Sequence, residues 1–233
     1  MHIFYTPDIE KEDYLLNEQE SRHASKVLRL KPGDEVLLID GVGHHYLAEI
    51  TGQSGKRTLV GLKSKVAFER RSDHYLHIAI APTKNMDRFE WFLEKATEIG
   101  VDEITPLLCQ YSERKVIKAE RLERVLIAAM KQSIKAFKPK LNPLTPMADF
   151  VSSVDAEGKY IAHCYEQDKA ALKQACLNAR HSIVMIGPEG DFSTEELALA
   201  ERHGFIGVAL GQERLRTETA GVVACHTVNL MTS

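Results

Sequence analysis

The sequence lacks several things whose absence narrows its class. No apolar run in the 233 residues approaches the roughly 18–20 residues of a membrane-spanning helix. The opening MHIFYTPDIEKEDY has no basic cluster followed by an apolar stretch, so no secretory signal is expected. Cysteine is scarce: Cys109, Cys164, Cys176 and Cys225 stand far apart, none in a C-x-x-C pair. They read as reduced thiols of a cytoplasmic protein, not as a disulfide framework. The ten histidines include no H-x-x-x-H pair, and adjacent His44-His45 falls in an expected hairpin, so no metal site is expected. Gly41-Val42-Gly43 lacks the third glycine of a dinucleotide fingerprint, and neither a phosphate-binding P-loop nor a G-x-S-x-G elbow is present. Strong net charge is also missing. Thirty Lys and Arg against 33 Asp and Glu leave −3, which excludes a globally basic nucleic-acid coat.

Charge is nevertheless unevenly placed. Residues 112–140 carry nine basic and three acidic side chains, net +6, within this mildly acidic chain. A focused basic patch attracts a polyanion locally without making the whole surface adhesive. From Ile117 to Phe137 there is no Gly or Pro, and Leu122, Val125, Leu126 and Ala129 recur at helical spacing. The pattern predicts one helix with an apolar face and a basic stripe of Arg121, Arg124, Lys131, Lys135 and Lys138. A solvated charged face is the alternative, but residues 124–140 hold no carboxylate, whereas a merely solvating face mixes signs.

Two patterns divide the chain. The first ~70 residues read as short strands, His2–Thr6, Glu35–Asp40, His45–Ile50 and Thr58–Phe68, with Gly-rich turns between them and a helix at Glu20–Leu28. This predicts a small barrel over residues 1–72, with Glu69-Arg70-Arg71-Ser72-Asp73 as the hinge. Over 73–233 strands alternate with helices. Tyr75–Ala81, Ile104–Cys109, Lys159–Cys164, Ser182–Ile186 and Ile206–Leu210 are the expected strands. Expected helices follow Asn85 as N-cap and end at Gly100, then occupy Lys169–Ala179, Thr194–His203 and Glu218–Met231. Alternation of this kind argues an α/β domain with a mostly parallel sheet.

Chemistry concentrates in two loops that leave expected strands. Ile186-Gly187-Pro188-Glu189-Gly190-Asp191 makes a tight turn whose backbone amides can approach a ligand, and Ser193 with Glu196 forms a capping box after it. Leu210-Gly211-Gln212-Glu213-Arg214-Leu215-Arg216-Thr217-Glu218-Thr219-Ala220 again leaves a strand through Gly and enters a helix. Each loop alone also reads as a good turn with helix caps. Ligands of open α/β sheets bind at the carboxyl ends of strands, and two such loops together favour a binding site.

These residues carry a resemblance. Gly187-Pro188-Glu189-Gly190-x-Phe192-Ser193, Leu210-Gly211 and Leu215-Arg216-Thr217-Glu218-Thr219-Ala220 resemble the RsmE family of 16S ribosomal RNA (uracil-N3)-methyltransferases, members of the SPOUT superfamily. His23-Ala24-Ser25-Lys26-Val27-Leu28-Arg29 with Gly33-Asp34 and Asp40-Gly41 resembles that family's PUA-like RNA-binding domain. Lys84, Arg88, Glu94–Gly100, Ser112-Glu113-Arg114 and Gln132-Ser133 resemble its middle motifs, so the likeness spans the chain. Asp191 stands where glycine is common in the family, and Lys135 where arginine is usual. The resemblance implies a deep C-terminal trefoil knot, a homodimer, and S-adenosyl-L-methionine held by Ile186, Gly187, Pro188, Glu189, Gly190, Leu210, Gly211, Leu215, Arg216, Thr217, Thr219 and Ala220. It implies 16S rRNA as partner, within the small ribosomal subunit. His23, Arg29, Lys84, Arg88 and Arg114 join the basic stripe as expected RNA contacts.

Chemistry on uracil N3 sets further expectations. N3 carries a proton and becomes nucleophilic only when that proton leaves, and the resulting anion spreads onto two carbonyl oxygens. Arg216 is the expected anion stabiliser, because guanidinium stays charged and offers paired donors. Glu189 and Glu218 are the candidate bases, each with an alternative role as a loop or helix brace. A paired uracil hides N3, so the target must be unpaired or flipped out. Methylation of another RNA atom, such as a ribose 2′-hydroxyl, and a catalytically silent RNA-binding role in ribosome assembly stay open beside this reading.

Overall fold

A computed structural model describes every residue except Glu12, Arg71, Ser72, Gln167 and Ser233. The chain forms two compact units, one of residues 1–70 with 130–138 and one of 71–129 with 139–233. Two residues of the expected hinge, Arg71 and Ser72, lie outside the described residues.

In the first unit β1 (His2–Tyr5), β2 (Asp13–Leu15), β3 (Glu35–Ile39), β4 (His44–Ser54) and β5 (Arg57–Ala67) form a sheet of order β1-β3-β4-β5-β2. β1 runs parallel to β3, and the other pairs are antiparallel. Alternate side chains point inward, so Val36, Leu38, Ala48, Ile50 and Val60 share one core with Phe4, Leu16 and Ala24. The helix expected over Glu20–Leu28 starts two residues earlier and changes type midway. α1 covers Glu18–Arg22, capped by the Asn17 side chain, and a wider π-helical turn, His23–Val27, follows. The Ser25 hydroxyl donates to the Ser21 carbonyl and so competes with the regular backbone ladder, and Arg29 at φ 57° then turns the chain away. Met130–Lys138 joins this unit through its backbone: Lys138 N–H donates to Gly41 O, and Gly43 N–H donates to Ala136 O. A Cβ at Gly43 would sit 2.9 Å from the Phe137 ring, so that close approach requires glycine.

In the second unit the chain runs through β6 (Tyr75–Ile80), α2 (Met86–Ile99), β7 (Glu103–Leu108), α3 (Ala119–Gln132), β8 (Lys140–Leu141), β9 (Thr145–Pro146), α4 (Met147–Ser153), β10 (Gly158–Ala162), β11 (Ala170–Ala171), α5 (Leu172–Ala175), β12 (His181–Ile186), α6 (Thr194–Arg202), β13 (Ile206–Ala209) and α7 (Thr217–Met231). The sheet is parallel, in the order β11-β13-β10-β12-β6-β7-β8, with β9 also pairing β7. Both faces are covered, as parallel sheets require. On one face Ile78, Ile80, Val184 and Ile186 pack against Phe89, Phe92 and Leu93 of α2 and Ala224, Cys225 and Val228 of α7. On the other Ala79, Ile183 and Met185 pack against Met147, Phe150 and Val151 of α4 and Ala200 of α6. Gly221 admits α7 to that first layer: a Cβ there would lie 2.7 Å from Phe92 and 2.8 Å from Ile80.

Two expected helices differ. The basic helix was expected to reach Lys138, but α3 ends at Gln132. Ile134 takes φ 54°, its N–H donates to Lys131 O, and the Lys135 N–H reaches back to Met130 O. That is a Schellman stop with isoleucine where glycine is usual, so Lys135 and Lys138 leave the stripe. The helix expected over Lys169–Ala179 is one turn, α5, preceded by β11, because Ala170 and Ala171 pair with Val208 and Ala209 at the sheet edge. Tertiary pairing outweighs the helical preference of alanine here. The strand β2 and the helix α4 carried no clear sequence signal.

Candidate active site at the strand ends

Parallel register brings four strand ends level: Ile80 pairs Ile186, Ile186 pairs Ala162, and Ala162 pairs Val208. The helix after β6 covers one face and the helix after β12 covers the other, so the chain diverges between neighbouring strands. Such a divergence opens a crevice at the carboxyl ends of the strands. A cleft of about 800 Å³ lies there, lined by residues 186–189 and 208–218 together with Ala162, His163, Cys164 and Lys169 after β10, and by Arg88 of α2.

The two glycine loops close on each other. The Thr217 hydroxyl donates to Gly187 O at 3.1 Å, and so is used as a stitch between loops, not as a helix cap. Arg216 occupies the N-cap position of α7 without a side-chain cap, which leaves the first amides of that helix uncapped. Asp191 stands at φ 65°, the left-handed region that favours glycine. Its carboxylate offsets that cost by accepting from Cys164 N–H at 2.7 Å and Phe192 N–H at 2.8 Å. The Ser193–Glu196 capping box is formed and starts α6.

Sequence-predicted cofactor residues gather here: Ile186, Gly187, Pro188, Glu189, Leu210, Gly211, Leu215, Arg216, Thr217 and Ala220 all line the cleft. Thr219 faces a neighbouring hollow instead. Gly190 is set against Tyr111, whose Cβ would stand 3.0 Å from an added Cβ. The residues fit a ligand with a flat apolar part and a polar part. Ile186, Val208, Leu210 and Ala220 supply apolar wall. Among the described residues, no amide of 211–215 donates to a backbone carbonyl, and Gly211 faces open space. His163 Nδ1 is buried without a partner among the described residues, and burial, reinforced by Lys169, holds this imidazole below its ordinary pKa.

The charged candidates divide sharply. Glu189 is exposed, and its Oε1 accepts the Lys84 N–H at 2.9 Å, the contact a loop brace would make. Glu218 is 7% exposed in the first turn of α7, with Arg88 Nε at 3.8 Å. Arg214 and Arg216 have no ion-pair partner among the described residues. Lys84 pairs with Glu113 at 2.7 Å, and Arg114 Nη2 donates to Lys84 O. On α3 Arg121 binds Glu90 at 3.0 Å, and Arg124 turns back to Glu120 O. In the first unit Lys131 Nζ binds both oxygens of Glu20, and His23 packs edge-on to Phe4. Arg29 is exposed there at the end of the π-turn. The sequence reading named neither His163, Lys169 nor Arg214 as a ligand residue. The rule that strand ends carry ligands could have found the first two, and Arg214 lies two residues from Arg216.

Among the described residues no three His, Cys, Asp or Glu side chains converge as a metal site, and no helix is long and apolar enough to cross a membrane. Residues 70–229 match the family model for the RNA methyltransferase domain, and residues 16–62 match that for the RNA methyltransferase PUA domain. The chain belongs to the RNA methyltransferase family. It is 30% identical over 226 residues to the ribosomal RNA small subunit methyltransferase E of Mycobacterium bovis, covering 92% of this chain and 85% of that one. The same-named protein of Buchnera aphidicola is 28% identical, with 98% and 92% covered. Among solved structures, a probable rRNA-methyltransferase from Porphyromonas gingivalis superposes with TM-score 0.92 at 39% identity, covering 100% of this chain and 98% of that one. The Neisseria gonorrhoeae ribosomal RNA small subunit methyltransferase E, solved bound to S-adenosyl methionine, gives 0.84 at 27%, covering 97% and 95%. The methyltransferase thus combines an N-terminal PUA domain with a mostly parallel α/β domain whose strand-end loops form the cleft.

Proposed function

We propose that this methyltransferase transfers a methyl group from S-adenosyl-L-methionine to N3 of a specific uridine in 16S rRNA of the small ribosomal subunit, in the cytoplasm and as a homodimer. The observation that carries this reading is the meeting of the Gly187 and Gly211 loops over one cleft, with Arg214 and Arg216 left without ion pairs at its rim. The shared family and the cofactor in the Neisseria gonorrhoeae relative support it. A deep C-terminal knot belongs to the same reading.

The cofactor supplies a methyl group on a positively charged sulfur. Residues 211–215 offer free amides to it, and Ile186, Leu210 and Ala220 offer apolar wall to its flat part. Positioning two bound reactants contributes roughly 7–11 kcal/mol at best. Arg216 presents a guanidinium toward the anion that uracil becomes when N3 loses its proton, and the uncapped amides of α7 add a positive helix end on the same side. Glu218, in that first turn with Arg88 as counter-ion, is the better-placed proton acceptor, since Glu189 is engaged at Lys84. RNA is positioned through phosphates by exposed cations of the PUA domain, Arg29 among them.

Nucleoside mass spectrometry of small-subunit rRNA from a strain lacking the gene tests the reading. Loss of N3-methyluridine supports it. Loss of a ribose methyl transfers the assignment to the 2′-hydroxyl, and unchanged nucleosides point to a silent RNA-binding protein.

A further inference from the structure

Beside the cofactor cleft lies a second hollow of about 600 Å³, between the start of α2 and the start of α7. Arg88, Arg214, Leu215, Arg216 and Glu218 border both cavities, so the two adjoin. Asp87, Trp91 and Thr219 line only the second, and Trp91 is the only tryptophan in the chain. Its neighbours on α2, Phe89, Phe92 and Leu93, are fully buried, yet Trp91 points the other way and is 42% exposed. It follows Arg88 by three residues, so the two share one helix face.

Charge around the hollow is only partly matched. Arg88 faces Glu218 at 3.8 Å, and Asp87 faces Arg121 at 3.5 Å. Arg214 and Arg216 have no ion pair among the described residues. The hollow therefore presents one flat indole and two available guanidiniums. A planar ring that carries an anionic phosphate matches that pair of features, since bases stack on aromatic side chains and Arg forms paired bonds to phosphate. An aliphatic or purely cationic ligand leaves the guanidiniums unused.

The geometry points to Trp91 as the stacking platform for the unpaired acceptor uracil, with Arg214 at the adjoining phosphate. This rests on the methyltransferase reading above and adds the residue that holds the acceptor. An indole platform explains how a base taken out of its helix is retained beside the cofactor cleft, since stacking replaces what unstacking removes. Trp91 touches no reacting atom in this arrangement beyond the ring it supports.

Undermethylated small subunits from the deletion strain, with wild-type enzyme as control, provide the assay. Trp91→Phe keeps an aromatic face and is expected to stay within about threefold of wild type. Trp91→Leu keeps apolar bulk but no ring, and its kcat/KM is expected to fall about 5- to 150-fold. Cofactor affinity, melting temperature and sedimentation should be unchanged in both. Wild-type kcat/KM in Trp91→Leu overturns the proposal. So does a loss accompanied by altered sedimentation, which makes Trp91 a contact between copies of the chain. Inactive wild-type enzyme would count against the assigned reaction, and emission of the single indole still reads the subsite: a short uridine-containing RNA should quench it, and the same RNA with abasic positions should not. Equal quenching by both overturns the proposal.

Discussion

The basic segment 112–140 and the arginines of the 211–216 loop are treated differently by the fold. Of the nine basic residues of segment 112–140, four are engaged, since Arg121 binds Glu90, Lys131 binds Glu20, Lys140 binds Glu103, and Arg114 holds the Lys84 carbonyl, whereas Lys115 and Lys118 have no ion-pair partner among the described residues. The loop of residues 211–216 holds two, and neither has an ion-pair partner among the described residues. Density of charge in a sequence therefore does not measure charge available to a ligand. A carboxylate distant in sequence can neutralise it, as Glu20 does across 111 positions.

The contrast predicts that changes on the loop alter turnover and changes on α3 alter stability. The largest effect is expected for Arg214→Ala with Arg216→Ala: methyl transfer should fall by about 10³-fold or more, with the melting temperature nearly unchanged, checked by radiolabel transfer beside thermal unfolding. Buried titratable groups in the α/β unit should instead shape the pH profile of stability. Burial, the largest influence on His77, pushes its imidazole down to about 4. The unfolded chain then takes the proton first, so the stability linked to neutral His77 is complete above about pH 6.5 and is lost as pH falls toward 4, up to about 3 kcal/mol. Burial alone would raise Glu103, but hydrogen bonds from Lys140, Asn142 and Tyr75 hold it at about 2, so its contribution fades only from about pH 4.5 downward. Urea midpoints measured against pH should show both steps, and His77→Gln should remove the first.

Lys131→Met comes next. It leaves Glu20, 7% exposed, without its cation. Because Lys131 itself is partly exposed, the cost should be about 2–3 kcal/mol, and Glu20→Leu in the same chain should recover much of it. Chemical denaturation of both variants checks this, and an unperturbed Lys131→Met would return that lysine to the RNA-binding face. Ile134→Gly should stabilise by about 1 kcal/mol, since glycine adopts φ 54° without strain. Arg121→Ala is the mildest, with little change in the denaturation midpoint and an unchanged salt slope of RNA binding.

What could be read in advance follows the same division. Strands β6, β12 and β13 and helices α2, α6 and α7 were legible because apolar period and caps agree locally, as at Asn85, Ser193 and Gly100. The two glycine loops were legible as motifs at strand ends. The stop at Ile134 was not, because an isoleucine in the left-handed region carries no sequence signature. The Glu20–Lys131 pair and the engagement of Glu189 at Lys84 were hidden for another reason: both are contacts between residues more than a hundred positions apart. Trp91 was overlooked because it lies on the solvent side of an amphipathic helix whose period marks only the buried side.

The most direct test compares Arg216→Lys and Arg216→Ala in single-turnover methyl transfer to undermethylated small subunits, beside calorimetric titration of S-adenosyl-L-methionine. If Arg216 stabilises the uracil anion, the bound-state rate falls in the Lys variant and by about 10²–10³-fold in the Ala variant, with cofactor affinity within a few-fold of wild type. A large loss of cofactor affinity with a nearly unchanged bound-state rate would contradict the account and make Arg216 a brace of the Leu210–Ala220 loop.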